Sequence, residues 1–127
     1  MAALLLIIEL EELRVKYLCD IADLPEQSTK AFPLDNSEII VCNWYGKFYL
    51  YVNDCPHAGW PLNYEPDKFL DAEEQFLQCS NHMALFNVDD GLCVAGPCEG
   101  CALTAVPFEI KEDQIYAAMP ETGYDRS

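Results

Sequence analysis

Basic side chains are scarce in this chain: seven lysines and arginines face twenty-two aspartates and glutamates, a formal net charge of −15. Nucleic acid is excluded as a partner, because its phosphates would be repelled rather than neutralised. The same imbalance serves solubility and would steer the protein onto a basic partner at low ionic strength. Long apolar stretches are also lacking. The run Ala2 to Ile8 is too short to span a bilayer, has no basic residue before it, and ends in Glu9 rather than a small-residue cleavage site. A cytoplasmic location is the expectation. Histidine too is scarce, with two in 127 residues.

Both histidines fall at a fixed offset after a cysteine. Cys55-Pro56-His57 is a C-x-H, and after twenty-one residues, Ala58 to Gln78, Cys79-Ser80-Asn81-His82 is a C-x-x-H. With cysteine at about 7 positions in 127, both offsets arise together in about 0.3% of chains of this composition. Two thiols and two imidazoles make a complete metal site. Zinc is the commoner occupant of such a set, but zinc fingers group the cysteines together and the histidines together. Here each stretch supplies one sulfur and one nitrogen. That interleaving suits a two-iron cluster in which one iron takes both thiolates and the other both imidazoles.

On these residues the chain resembles the Rieske [2Fe–2S] proteins, and the soluble Rieske-type ferredoxins more than the respiratory-complex branch. The resemblance runs from about Leu13 to Ala118. It includes Cys55-Pro56-His57-Ala58-Gly59-Trp60-Pro61-Leu62 as the first ligand loop, Gly96-Pro97 where the family has a proline-bearing loop over the cluster, and the strand ending at Tyr116 as the last strand. It implies one [2Fe–2S] cluster per chain, held by Cys55, His57, Cys79 and His82. It also implies a low potential. Respiratory Rieske proteins carry a Ser and a Tyr after the second histidine whose hydroxyls donate to cluster sulfurs; Ala84 and Phe86 stand there instead. Trp60 and Asn81 replace the extra cysteines that pair as a disulfide in that branch, and Met83 stands where glycine is common.

The rest of the chain is written in strands. Glu38 to Asn43 and Lys47 to Val52, joined by Trp44-Tyr45-Gly46, predict a hairpin. Arg14 to Cys19, Gln75 to Gln78, Leu85 to Val88 and Leu92 to Val94 (turned at Asp89-Asp90-Gly91) predict further strands. A last hairpin runs from Leu103 to Ile110 and from Gln114 to Ala118. Tyr64 to Glu74 reads as a polar surface excursion. The fold class is all-β, an antiparallel sandwich or barrel, refined by the resemblance to a Rieske fold with a small cluster-binding subdomain built from the two ligand loops. Residues 1–12 form an N-terminal extension, 13–118 the Rieske domain and 119–127 a tail.

Seven cysteines leave five beyond the ligands: Cys19, Cys42, Cys93, Cys98 and Cys101. Cys98-Glu99-Gly100-Cys101 is a C-x-x-C without the helix N-terminus that would activate it, so loop packing or an incidental disulfide is its leading reading, with redox or metal chemistry the alternative. A complete oxygenase would need a mononuclear iron on two more histidines and a carboxylate, and no histidine remains. The expected function is one-electron transfer to a partner oxidoreductase such as a ring-hydroxylating oxygenase, the protein itself being no enzyme. Its partners are a reductase donor and an oxygenase or reductase acceptor with a basic docking surface, met by an apolar tip with an acidic rim. The alternatives are the small Rieske subunit of a nitrite reductase and a zinc-stabilised interaction module.

Overall fold

A computed structural model describes residues 15–54, 61–63, 67–79, 83–96 and 100–119. Its strands are β1 (Lys16–Asp20), β2 (Ser28–Leu34), β3 (Ser37–Trp44), β4 (Lys47–Val52) and β5 (Leu77–Gln78). They continue with β6 (Leu85–Phe86), β7 (Cys93–Ala95), β8 (Phe108–Lys111) and β9 (Gln114–Ala117). These form three antiparallel three-stranded sheets, ordered β1-β9-β8, β2-β3-β4 and β5-β6-β7. The all-β expectation holds.

The central hairpin explains why β3 reads as an unbroken apolar run instead of an alternating one. Successive side chains of a strand point to opposite faces, and here both faces are covered. Ile40 and Cys42 of β3, with Tyr51 of β4, enter one core. Ile39 and Val41, with Leu50 and Val52, enter a second. The sheet is thus a wall shared by two cores, and each fully buried Ile, Leu or Val contributes about 1.5–3 kcal/mol. The connection is a two-residue turn in which Tyr45 and Gly46 both take positive φ, 49° and 83°. That is the turn whose twist matches its flanking strands.

The second core is closed by β1 and β9 through Leu18, Cys19, Ile115 and Ala117. The first lies beneath β5, β6 and β7 and the segments that carry the candidate ligands; it includes Leu62, Phe69, Leu77, Cys79, Ala84 and Phe86.

Three expectations change in detail. β2 contains Pro33 opposite Glu38, and its missing N–H is tolerated because β2 is the end strand of its sheet. Its polar letters gave no strand signal. The excursion from Tyr64 to Glu74 is not wholly a surface feature: Phe69 turns inward and is 1% exposed, with its carbonyl accepting from the Gln78 N–H at 2.7 Å. The segment leading to β8 is not continuous strand. It runs beside β4, bridged at Tyr51 and Ala105 and by Val52 N–H to Thr104 O and Val106 N–H to Leu50 O, both 2.9 Å, and Pro107 ends that pairing. The expectations for residues 1–12 and for the tail from residue 120 lie outside the described residues.

Candidate metal centre

β5 delivers Cys79, the one sequence-expected ligand among the described residues; Cys55, His57 and His82 lie outside them. Cys79 is fully buried. Its carbonyl accepts from the Met83 N–H at 2.7 Å and its N–H donates to the Ala84 carbonyl at 2.9 Å. Two main-chain hydrogen bonds therefore close the second loop at its base, leaving residues 80–82 between them. The closure brings Met83 to φ +59°, the left-handed region that glycine enters without steric cost. Here a methionine takes that place, with its side chain 61% exposed.

The first loop is closed by a side chain. β4 ends at Val52, and Asn53 follows with its N–H on the Glu38 carbonyl at 2.8 Å. Its amide oxygen accepts from the Leu62 N–H at 2.8 Å, across residues 55–60. Its amide nitrogen donates to Glu38 Oε1 at 2.7 Å and Asn63 Oδ1 at 3.0 Å. Sequence reasoning passed over Asn53. The only available signal was an amide-bearing residue two places before the C-x-H, and asparagine at a strand end is ordinarily a turn residue.

A third segment passes the base of the second loop, with Gly96 against Ala84. Cys93 of β7 faces Cys101: the Cys93 N–H donates to the Cys101 carbonyl at 2.8 Å, and the Gly100 N–H to the Cys93 carbonyl at 3.2 Å. With Gly100 at φ +94°, this is a β-bulge of the type that places a left-handed glycine first. Gly100 of the C-x-x-C thus has a backbone role. Cys101 is an exposed free thiol and Cys93 is buried; Cys98 lies outside the described residues.

The wall beneath the loops is apolar. Ala84 and Phe86 are both fully buried in the cluster that holds Cys79, so the two positions without a hydroxyl donor are core positions. Deeper in that core, burial pushes the Cys42 thiol well up. Burial also raises Tyr51, whose hydroxyl donates to the Val88 carbonyl at 2.6 Å. In the segment between the two loops Asp67, Glu73 and Glu74 are exposed.

This arrangement fits the cofactor that the sequence implies. The exit of the first loop, Leu62, and both ends of the second, Cys79 and Ala84, are anchored in one buried cluster, so the described ends of the two candidate ligand loops share a floor. Two thiolates and two imidazoles on those loops suit a [2Fe–2S] group, which supplies one-electron chemistry.

Comparisons with known proteins agree. The family model of the Rieske [2Fe-2S] domain matches residues 14–112. The ferredoxin component of biphenyl 2,3-dioxygenase from Rhodococcus jostii (strain RHA1) is 31% identical over 80 residues, 63% of this chain and 70% of that protein. Among solved structures, the ferredoxin of carbazole 1,9a-dioxygenase from Nocardioides aromaticivorans IC177 superposes with a TM-score of 0.67 at 24% identity, covering 84% of this chain and 98% of that one. The ferredoxin of Sphingomonas yanoikuyae B1 gives 0.63 at 20% identity, over 82% and 97%. The fold is that of these ferredoxins, and the chain belongs to the Rieske [2Fe–2S] family, whose cofactor is a [2Fe–2S] cluster.

Proposed function

We propose that this protein is a one-electron carrier that serves the terminal oxygenase of a ring-hydroxylating dioxygenase system, with Cys55 and Cys79 binding one iron and His57 and His82 the other. The observation that carries this reading is the common floor: Leu62, Cys79 and Ala84 share one buried cluster, so the exit of the C-x-H loop and both ends of the C-x-x-H loop are anchored together. The relative that is a biphenyl dioxygenase ferredoxin component supports it. So does a solved complex of oxygenase and ferredoxin in carbazole 1,9a-dioxygenase, whose ferredoxin fold this chain shares at a TM-score of 0.66. No helix among the described residues is long and apolar enough to cross a membrane, and a cytoplasmic carrier accords with the formal charge of −15.

The chain's own residues do three things in this role. The apolar wall of Leu77, Ala84 and Phe86 keeps water from the Cys79 side of the site. The exposed Met83 offers an apolar contact beside the second loop. The excess of acidic side chains, −15 in formal charge, draws in a basic partner surface, so electron transfer to that partner slows as ionic strength rises.

Metal and sulfide analysis with EPR tests the reading. Two irons and two sulfides per chain and a Rieske-type signal are expected, with that signal abolished in His57→Ala and His82→Ala and intact in Cys101→Ser. A colourless protein with one zinc, or an unchanged signal in His82→Ala, would overturn it.

A further inference from the structure

Asn53 is one of three buried polar residues among those described, at 8% exposure. A buried amide left without partners costs about 1–3 kcal/mol, yet this one has a partner for its oxygen and for each amide proton. Its oxygen accepts from the Leu62 N–H, and both amide protons are donated, to Glu38 Oε1 and Asn63 Oδ1, so three of its four hydrogen-bonding sites are filled. The side chain therefore grips the start of β3, the entry to the first loop and the exit from it. Cys55 follows two residues after the grip, and Leu62, on the other side, is fully buried. Asn43 makes the contrast. It is equally buried, at 8% exposure, but it donates one bond, to the Leu24 carbonyl at 2.8 Å, and its Oδ1 has no partner. Neither end of that bond belongs to a ligand loop.

We infer that Asn53 is a positioning residue for the cluster: its side chain sets where Cys55 and His57 stand relative to the second loop, and Glu38 holds it in place. The inference rests on the reading of Cys55 and His57 as ligands. A ligand loop with a loosened base still carries its donors but no longer fixes their angles. The expected consequence is a changed ligand field and an easier loss of metal, with the fold retained.

The experiment uses the purified, cluster-loaded protein. In Asn53→Ala the EPR g-values of the reduced cluster and the reduction potential move, and a chelator strips iron about 10–100-fold faster, the range for lost groups that orient ligands. In Asn43→Ala the melting temperature falls while g-values, potential and stripping rate stay at the wild-type values. The pair Glu38–Asn53 supplies a second, charge-conserving test. Asn53→Asp sets two carboxylates against each other and reproduces the defect. Adding Glu38→Gln restores the net charge and lets the new amide donate to the new carboxylate, so the double variant recovers the wild-type g-values and stripping rate. The inference is overturned if Asn53→Ala keeps the wild-type spectrum and stripping rate. Should that variant fail to fold, the charge swap decides: recovery of the melting temperature with g-values still displaced sinks it. A wild-type protein without a Rieske-type signal would overturn the ligand reading itself, and this inference with it.

Discussion

Gly96 approaches Ala84 so closely that a Cβ on it would stand 2.7 Å from the Ala84 Cα and 3.0 Å from its Cβ. The segment after β7 is thus pressed onto the residue whose carbonyl closes the second ligand loop. No side chain can enter that gap without moving backbone.

Gly96→Ala is accordingly expected to be costly on two counts. It overpacks a backbone contact, about 1–3 kcal/mol, and it forces an L-residue to φ +101°, about 1–2 kcal/mol more. Because the displaced neighbour is Ala84, the Cys79–Ala84 hydrogen bond shifts too. A denaturation midpoint lowered together with an altered cluster spectrum is the expected pair of results. An unchanged midpoint would mean that the two segments do not touch as described.

Met83→Gly should do the reverse. At φ +59° methionine bears the left-handed penalty that glycine escapes, offset by glycine's larger entropy in the unfolded chain. The balance is a gain of up to about 1 kcal/mol, read from denaturant melts. Met83→Ala keeps the penalty and should give no such gain. The same Met83→Gly change removes an exposed apolar side chain beside the second loop, so binding to an oxygenase partner should weaken while stability rises.

The family was legible because the chemistry of a C-x-H and a C-x-x-H is rare and their spacing fixed. The hairpin of β3 and β4 was legible for a related reason: β-branched runs around a turn can do little else. What the sequence concealed depends on distance in space. Phe69 sits among charged neighbours, and its burial follows only from the return of the chain through Leu70 and Leu77. Asn53 looks like a turn residue until Leu62 and Glu38 are seen to converge on it. Met83 was visible as a departure from a family glycine, but its positive φ comes from the hydrogen bond to Cys79, which no local pattern announces.

Alkaline pH should destabilise the fold through its buried thiols. Burial, with Asp23 and Asp20 nearby, pushes Cys19 up to about 12 from an ordinary value of 9.0, and burial alone raises Cys42. A folded value above the unfolded one gives stability that is complete below about pH 9 and lost as pH rises toward the folded value. Melting temperature should therefore hold to about pH 9 and then decline, more shallowly in Cys19→Ala than in the wild type. In the same range an alkylating reagent should label Cys101, which is exposed, and spare Cys19 and Cys42. Rapid labelling of Cys42 in the folded protein would contradict its burial.

The tuning of the cluster is open to the most direct test. Ala84 and Phe86 have no hydroxyl to offer a sulfur, so the reduction potential should lie near the low end of the Rieske range, roughly −150 mV rather than +300 mV. Phe86→Tyr adds one oxygen to a ring that is fully buried in the same cluster as Cys79. Left without a partner there, that hydroxyl would cost about 1–3 kcal/mol. Bonded to a cluster sulfur, it would regain most of this and favour the reduced, more electron-rich state. Only the difference between the two redox states reaches the potential, and for one electron about 1.4 kcal/mol corresponds to about 59 mV. A rise of tens of millivolts with little change in melting temperature is expected. A fall in melting temperature with no rise in potential would show the hydroxyl buried away from the sulfurs. A wild-type potential near the high end would refute the tuning argument outright, because the donors that produce it elsewhere are missing from these two positions.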